Sequence, residues 1–589
     1  MLIHSRFPKD SQLGIRFPDQ KRSGVVLYAA LVVAAVLALA AYRYNDMVMS
    51  ENQASNRLMR MTQARALADS GVYYAAGMLG SSASTGVANS NNLYSDPAIF
   101  QNVIVMQSQG SGQSNLQGAF SLINLDFSQQ PPLSQPTLTF GMMDESAKIN
   151  LNAVMQLDPT GNTLYNLLMQ LPNMTDPVAN SIIDWIDPDE TVRNNTGAES
   201  QYYSGLTPSY MSKNGPLDSL DELLQIQGIT PALLYGTDLN QNGSLDANEQ
   251  NLTGSYDPGW AQFLTIYSRE RNVDINGNQR ININNSDLQT LNTQLQSAVG
   301  PNLAAYIIAA RLYGYSSSGG GGSGSGSGGS SSSSSSGSSS SGSTSSNSSN
   351  SGQLINAVQQ ALSGNSVQGK NNIGSLYSLV NSTVTITAQS SNTGSGSTTG
   401  TSSGSTSGST SPGMTTSSSG NNSTPQSVTY SSPLSDPSQQ ASLLPLYLDE
   451  CCISSQIDLP GKINVNTASQ QVLAGLPGMT NLLSNIISYR QPPETLQTNS
   501  QLYMTPAWMM IQGGLTASQM QQLEPYITGA SSIFRVQSVG YFTGTKAPLP
   551  MARVEAVLDG NFGTPRILYY RDMTELGQAY PVSFLDGGN

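Results

Sequence analysis

The sequence predicts an α+β protein in which one long N-terminal helix is followed by a small antiparallel sheet and a large helical region. Residues 25–42 are apolar and uncharged, and no Pro or Gly follows until Gly71, so a single helix can continue through this stretch. Segments rich in Val, Ile, Phe and Tyr near the C-terminus are typical of strands. A stretch rich in Asn, Asp and Leu, extending to about Tyr313, predicts the helical region.

The composition excludes several kinds of chemistry. The formal net charge of −13 argues against a nucleic-acid surface, which needs clustered Lys and Arg to displace counterions from phosphates. The single histidine, His4, excludes a Ser-His-Asp triad or a histidine-based metal site in the body of the chain. The two cysteines, Cys451 and Cys452, are adjacent, which excludes a disulfide framework and a cysteine-rich zinc site.

The N-terminus has the charge pattern of a membrane-inserted segment. Residues 1–24 are polar and basic, which predicts a cytoplasmic N-terminus, and an apolar run of about 18 residues suffices to span a bilayer. One interpretation is a secretory signal that is cut after Ala40. The other is a prepilin leader that is cut between Gly24 and Val25, so that the apolar run stays in the mature protein.

The helical pattern beyond the apolar run favours the prepilin interpretation. One helix is predicted over residues 25–80, because a cleaved signal does not need this continuation whereas a pilin spine does. The apolar residues that step by three or four positions, and so predict one helix face, are Ala54, Leu58, Met61, Ala64, Ala68, Val72, Ala75 and Leu79.

Two Ser/Gly-rich tracts divide the rest of the chain. Residues 316–352 and about 389–432 are predicted to be flexible linkers, because such sequences bury too little apolar surface to offset chain entropy. Strands are predicted at 119–125, 137–142, 532–542, 551–558 and 566–570. The predicted regions are a leader (1–24), a transmembrane and spine helix (25–80), a first sheet region (81–146), a helical domain in two parts (147–315 and 441–528), a low-complexity insertion with a short ordered piece (316–440, ordered near 354–380) and the C-terminal strands (529–589).

A short pattern recurs three times within the helical region. Residues 148–152, 280–284 and 462–466 each read as a basic residue followed by Ile, Asn, an apolar residue and Asn. Because Asn is a good N-cap, each copy predicts an entry into a helix.

Residues 238–249 match the calcium loop of EF-hand proteins, which has oxygen-bearing side chains at fixed positions and a glycine for the sharp turn. Calcium prefers six to eight oxygen ligands, and Gly243 occupies the turn. A solvated acidic turn is the alternative. The predicted calcium ligands are Asp238, Asn240, Asn242, the Ser244 carbonyl, Asp246 and Glu249.

A second acidic cluster lies earlier in the helical region and contains Asp184, Asp187, Asp189, Glu190 and Glu199. All of these except Glu190 are the predicted ligands of a possible second calcium site. Paired carboxylates are used in acid–base hydrolysis, but they also hold calcium or cap helices. We weigh a second calcium site against a purely structural role, and catalysis stands well behind both.

Several ordered motifs together resemble general secretion pathway protein K, the K-type minor pseudopilin of type II secretion. The resemblance covers most of the chain outside the Ser/Gly tracts. Its motifs are Asp-Glu-Ser-Ala-Lys-Ile-Asn-Leu-Asn at 144–152, Asp-Trp-Ile-Asp-Pro-Asp at 184–189, Gly-Ala-Glu at 197–199 with Tyr-Tyr at 202–203, Lys-Asn-Gly-Pro-Leu at 213–217, and the segment 461–478.

The resemblance implies a type IV pilin-like fold. The long helix would pack on a small antiparallel sheet, and a helical domain of helix-hairpin-helix or SAM-like type would be inserted at about 147–528. It also implies a non-enzymatic subunit with one pass through the inner membrane and its bulk in the periplasm, which caps the pseudopilus tip and nucleates its assembly.

The same resemblance implies the partners. These are the I-type and J-type minor pseudopilins, a prepilin peptidase and the inner-membrane assembly platform. In most pseudopilins the fifth mature residue is a Glu, but here it is Ala29. An envelope-anchored DNA-binding or DNA-uptake protein is the alternative function, because residues 461–478 and 220–230 also resemble halves of helix-hairpin-helix modules.

Overall fold

A computed structural model describes most of the chain. Residues 1–22 of the predicted leader, most of both Ser/Gly tracts, and positions 247 and 248 of the predicted calcium loop lie outside the described residues. The described residues are 23–85, 93–107, 116–128, 134–246, 249, 256–317, 347–364, 367–387, 427–491, 500–544, 549–577 and 579–587.

The first helix, α1 (Ser23–Thr85), is the longest element of the described chain and begins two residues before the predicted start. Its 63 residues extend about 95 Å at 1.5 Å per residue. The apolar N-terminal part is exposed among the described residues and is long enough to cross a membrane once. The predicted continuous helix is therefore confirmed, and it fits a single-pass membrane anchor.

The C-terminal part of α1 packs on the sheet with the predicted face, but only from Ala64 onward. Leu58 and Met61 lie on the same predicted helix face but are 69% and 38% exposed. Both side chains line an open cavity together with Val539 and Ala552, so the helix does not pack tightly on the sheet at these turns. The buried residues of the stripe are Ala64, Ala68, Val72, Ala75 and Leu79, together with Leu67.

The first part of the sheet follows α1 and the short helix α2 (Pro97–Phe100). The predicted strands at 119–125 and 137–142 are present with slightly different bounds. Strand β1 was not predicted because most of its apolar side chains are exposed, so its sequence shows no buried alternation. The four strands are β1 (Val103–Gln107), β2 (Gln117–Asp126), β3 (Thr137–Phe140) and β4 (Met143–Asp144).

A large domain is inserted between β4 and the return to the sheet. Its helices are short and enclose one hydrophobic core with Trp185, Trp260 and Trp508 inside it. The helices are α3 (Leu151–Leu157), α4 (Asn162–Leu168), α5 (Asp176–Ile186), α6 (Ser200–Ser204), α7 (Pro231–Tyr235), α8 (Leu288–Ala298), α9 (Pro301–Tyr313), α10 (Asn347–Leu362), α11 (Pro437–Glu450), α12 (Gln470–Ala474), α13 (Leu483–Tyr489), α14 (Ser500–Tyr503), α15 (Ala507–Ile511) and α16 (Ala517–Leu523).

Small sheets of two or three strands supplement these helices. The inserted strands are β5 (Ile149–Asn150), β6 (Leu264–Thr265), β7 (Arg269–Arg271), β8 (Ile281–Asn282), β9 (Ser316–Ser317), β10 (Ser382–Thr387), β11 (Ser427–Ser431), β12 (Cys451–Cys452), β13 (Asp458–Pro460), β14 (Ile463–Asn464) and β15 (Ile527–Thr528).

The three copies of the repeated Ile-Asn pattern adopt the same local structure. Each copy forms a two-residue strand, and each pairs in parallel with a distant strand, as β5 with β6, β8 with β12 and β14 with β15. The predicted capping role holds only for Asn150, which caps α3. Asp287 and Ser469 cap α8 and α12 instead, because the chain continues for several residues before those helices begin.

The boundaries predicted for the low-complexity insertion were too wide. Strand β11 lies inside the second predicted linker, and α11 begins before the predicted return of order. The physical reason is a β-hairpin in which Val384 of β10 faces Tyr430 of β11, both buried. Leu354 and Val358 of α10 are also buried in the main core, so the ordered piece between the tracts is larger than predicted.

The chain returns to the sheet with β16 (Ile533–Thr543), β17 (Ala552–Asp559) and β18 (Arg566–Asp572), and ends near α17 (Val582–Leu585). The order is β1-β2-β16-β17-β18, with β3 on β2, β4 on β16, and every pair antiparallel. Gly540 permits α1 to cross β16 closely, because a Cβ there would lie 2.1 Å from the Ala64 carbonyl oxygen. The predicted pilin-like α+β fold is confirmed.

A buried ion pair joins the sheet to the entry of the inserted domain. Arg535 of β16 donates to both carboxylate oxygens of Glu145, at 2.9 and 2.6 Å. The Thr265 hydroxyl donates to the same carboxylate at 2.6 Å, and Glu555 lies 3.2 Å from Arg535. Burial alone would raise the pKa of Glu145, but the charges of Arg535 and Lys148 lower it to about 2.

Removal of one charge from this pair should destabilise the full chain strongly. We expect Glu145→Gln to lower the free energy of unfolding by about 3–5 kcal/mol, because the Arg535 charge then lacks its main buried partner. Urea unfolding of detergent-solubilised protein, followed by tryptophan fluorescence, measures the change. Arg65→Met is the control, because its ion pair with Asp572 is exposed and should contribute at most about 1 kcal/mol. Equal losses for the two variants would contradict the role of the buried pair.

Candidate metal centres

The predicted calcium loop folds around the Asp238 carboxylate, which is 2% exposed. The backbone N–H groups of Asn242 and Gly243 donate to its two oxygens at 3.0 and 2.7 Å. Gly243 has a φ of +79°, the left-handed conformation that the match to the motif requires. Burial raises the pKa of Asp238, and the nearby Glu249 carboxylate raises it further.

The remaining predicted ligands form hydrogen bonds within the same loop. Glu249 accepts from the backbone N–H groups of Asn240 and Asp246, both at 3.1 Å, so its carboxylate closes the loop. The amides of Asn240 and Asn242 both donate to Asp246, at 2.7 and 3.2 Å. The side-chain oxygen of Asn240 is buried and accepts no hydrogen bond from the described residues. Ser244 lies at the bend, where its N–H donates to Asn242 at 2.7 Å.

The structure adds neighbours of this loop that the sequence did not indicate. Arg553 of β17 donates to the backbone carbonyls of Asn240 and Gln241, the latter at 3.2 Å, and Gln537 of β16 donates to Gln241 at 3.3 Å. The Asn242 amide donates to the Ala579 carbonyl at 3.0 Å. Because these partners are about 300 residues away along the chain, no local sequence signal could have indicated them.

The second acidic cluster contains three carboxylates close enough to share an ion. Ligand oxygens of Asp187, Asp189 and Glu199 lie within 4.8 Å of one another. Glu199 is 2% exposed, and neither of its carboxylate oxygens has a hydrogen-bond partner among the described residues. Asp184 is not part of this trio. It accepts from the Arg193 backbone N–H at 3.1 and 3.2 Å and so fixes the turn beside the cluster.

Three carboxylates in and beside this cluster have raised pKa values. Burial, and then the charges of Asp184 and Asp187, raise the pKa of Glu199 to about 8. Burial also raises the pKa values of Asp184 and Asp187 to about 6. Arg193 is close enough to lower the pKa of both aspartates, but in each case burial is the larger effect.

Both groups of residues fit a hard divalent cation such as calcium. Their donors are carboxylate, amide and carbonyl oxygens, which calcium prefers, and each group contains a buried oxygen that lacks a described partner. The predicted ligands are therefore brought together in two places, with Asp184 behind the second place rather than in it.

Comparison with known proteins identifies the segment that carries the second cluster. Residues 147–236 match the family model described as type II secretion system (T2SS), protein K. This segment is therefore similar to protein K of type II secretion. The predicted resemblance is thereby confirmed. The Asp187, Asp189 and Glu199 cluster lies within the protein K segment, and the loop that begins at Asp238 follows it directly.

One curated relative and one solved structure are similar to this chain over different lengths. The type II secretion system protein K of Aeromonas hydrophila is 39% identical over 56 residues, which is 10% of this chain and 17% of that relative. The crystal structure of the GspK-GspI-GspJ complex from enterotoxigenic Escherichia coli covers 89% of this chain and 98% of that chain. The sequence identity is 11% and the TM-score 0.29, a likeness too weak to support an argument.

The raised pKa of Glu199 predicts a pH-dependent stability in metal-free protein. Between the ordinary value of 4.5 and the folded value of about 8, the folded chain binds more protons than the unfolded chain. The melting temperature in chelator should therefore fall as the pH rises through this window. Glu199→Gln should flatten the slope, because it removes the titrating group.

The control for this measurement is Glu575→Gln, which changes an exposed carboxylate of the same type. Thermal melts of the full chain in chelator, from about pH 5 to about pH 8, give the slopes. If Glu199→Gln and Glu575→Gln had the same slope as the unchanged protein, the charge repulsion at Glu199 would be too small to matter.

Proposed function

We propose that this protein is a minor pseudopilin that caps the tip of a periplasmic type II secretion pseudopilus and nucleates its assembly. The observation that carries the proposal is a segment similar to protein K, inserted between two strands of a pilin-like sheet that packs on a long helix with an apolar N-terminal part. The role is structural, and the acidic clusters bind metal rather than substrate. The proposed partners are the I-type and J-type minor pseudopilins, with the inner-membrane assembly platform at the base.

Two features support a position at the tip. Ala29 is the fifth residue after Gly24, where most pseudopilins carry a Glu that neutralises the terminal amine of a neighbouring subunit. A carboxylate in lipid costs roughly 2.5 kcal/mol or more, so it is retained only where such an amine uses it. The inserted domain is also much larger than the sheet that carries it, so it would obstruct repeated stacking of identical subunits.

A tip position predicts a low copy number. Mild crosslinking and copurification from membranes should recover about one copy of this chain with the two other minor pseudopilins, and the purified chain alone should not polymerise. Quantitative mass spectrometry of the crosslinked complex measures the ratio. Homopolymers, or labelling along the whole filament, would contradict the tip position.

We also propose that a prepilin peptidase cuts between Gly24 and Val25 on the cytoplasmic face of the inner membrane. Mass spectrometry of membrane-extracted protein should then identify Val25 as the mature N-terminus. Gly24→Leu should block the cut without preventing insertion, because the apolar run of α1 is unchanged. A mature chain that starts at Ala41 would instead indicate an ordinary signal peptide.

Calcium is the proposed cofactor, bound by Asp238, Asn240, Asn242, the Ser244 carbonyl, Asp246 and Glu249, with a second site at Asp187, Asp189 and Glu199. Ions that bind only the folded state stabilise it by mass action. The full chain should therefore melt at a higher temperature in calcium than in chelator. Combined Asp238→Ala and Glu249→Ala substitutions should remove most of this difference.

The matched control for the calcium measurement is Asp46→Ala with Glu51→Ala, two exposed acidic residues of α1. The control should retain the full calcium-dependent shift in melting temperature. An unchanged melting temperature in the natural sequence with and without calcium would refute the calcium proposal.

A further inference from the structure

The predicted calcium loop belongs to the inserted domain, yet it also contacts the pilin-like sheet. Gly243 is packed so closely that a Cβ there would lie 2.8 Å from Leu125 of β2 and 2.9 Å from Pro136. Asn242 donates to the backbone of the C-terminal segment at Ala579. The loop therefore lies at the interface between the inserted domain and the sheet.

The strongest of these contacts is made by a buried charge. Arg553 is 3% exposed, and its guanidinium donates to two successive backbone carbonyls, those of Asn240 and Gln241. Hydrogen bonds from a charged donor are roughly twice as strong as neutral ones. Gln241 has a φ of +55°, so the chain bends sharply at the point where the guanidinium holds it.

A second side chain of the sheet supports the same point of the loop. The Gln537 amide donates to the Gln241 carbonyl at 3.3 Å, and its own oxygen accepts from the Tyr580 hydroxyl at 2.6 Å. Gln537 is 1% exposed, so its position is fixed by packing. The loop backbone between two predicted ligands, Asn240 and Asn242, is thus shaped by β16, β17 and the C-terminal segment together.

From this geometry we infer that Arg553 and Gln537 are positioning residues for the calcium loop, so that calcium binding and docking of the inserted domain on the sheet are thermodynamically coupled. The inference rests on the calcium site proposed above. If docking shapes the loop for the ion, the ion must strengthen docking by the same factor, because coupling between two equilibria is reciprocal. Calcium would then fix the inserted domain relative to the membrane helix, besides stabilising that domain internally.

The charge of Arg553 must be separated from its geometry in any test. A positive charge beside a cation site opposes binding, whereas correct positioning of the carbonyls favours it, so removal of the charge alone would give an ambiguous result. Arg553→Lys keeps the charge but cannot hold two carbonyls in a planar fork. Arg566→Lys is the matched control, because it makes the same change on exposed β18.

The experiment uses detergent-solubilised full chain that carries Glu199→Gln, so that the loop is the calcium site measured. Competition with a chromophoric chelator gives the calcium affinity. We expect Arg553→Lys to weaken it by about tenfold, within the usual range of such coupling, and Arg566→Lys to leave it unchanged. Equal calcium affinities in the two variants would overturn the inference.

A second measurement on the natural sequence does not depend on how the variants fold. Calcium should slow amide hydrogen exchange in β16 and β17 around Gln537 and Arg553, in addition to exchange within the loop. Slower exchange in the loop alone would overturn the coupling while leaving the calcium site intact. No calcium binding at all would overturn both the site and the coupling.

Discussion

The buried pair between Glu145 and Arg535 is the interaction on which the arrangement of the two units depends. The pair lies where the chain leaves the sheet for the inserted domain. A second carboxylate, that of Glu555 on β17, also pairs with Arg535. Thr265 reaches the Glu145 carboxylate from deep inside the insertion. One charge cluster therefore fixes the sheet, the entry of the inserted domain and one of its small parallel strand pairs in a single geometry.

The sequence was most informative where the structural signal is local. Helix α1 could be predicted because its periodicity continues for many turns, and the predicted metal ligands could be assembled because they lie within a short loop. Strand β1 was missed because it has little buried alternation, and β11 was missed because a Ser/Thr-rich sequence obscured the Val384 and Tyr430 pair. The exposure of Leu58 could not be predicted, because periodicity identifies a helix face but not how closely that face approaches the sheet.

The candidate sites show the same limit. The oxygen-bearing side chains of the Asp238 loop lie within twelve consecutive residues, so the local fold of the loop could be predicted from the sequence. Its attachment to the sheet depends on Arg553, which lies 312 residues from Gln241, and no pattern in one chain reports such a distance. In the second cluster, the sequence did not distinguish among the four carboxylates that were predicted as ligands. Only packing shows that Glu199 is buried without a described partner, whereas Asp184 supports a turn.

The two ends of the inserted domain meet at the sheet. The hydroxyls of Ser146 and Ser531 are 3.0 Å apart although 385 positions separate them, and Asp144 accepts from Asn464 and Thr467 at the same junction. A domain whose two ends meet in this way is connected covalently to the sheet at a single junction. Its length can change without altering strand register on either side, since the cost of closing a longer loop rises only slowly with length. Long Ser/Gly tracts within the inserted domain therefore leave the packing of α1 on the sheet unchanged.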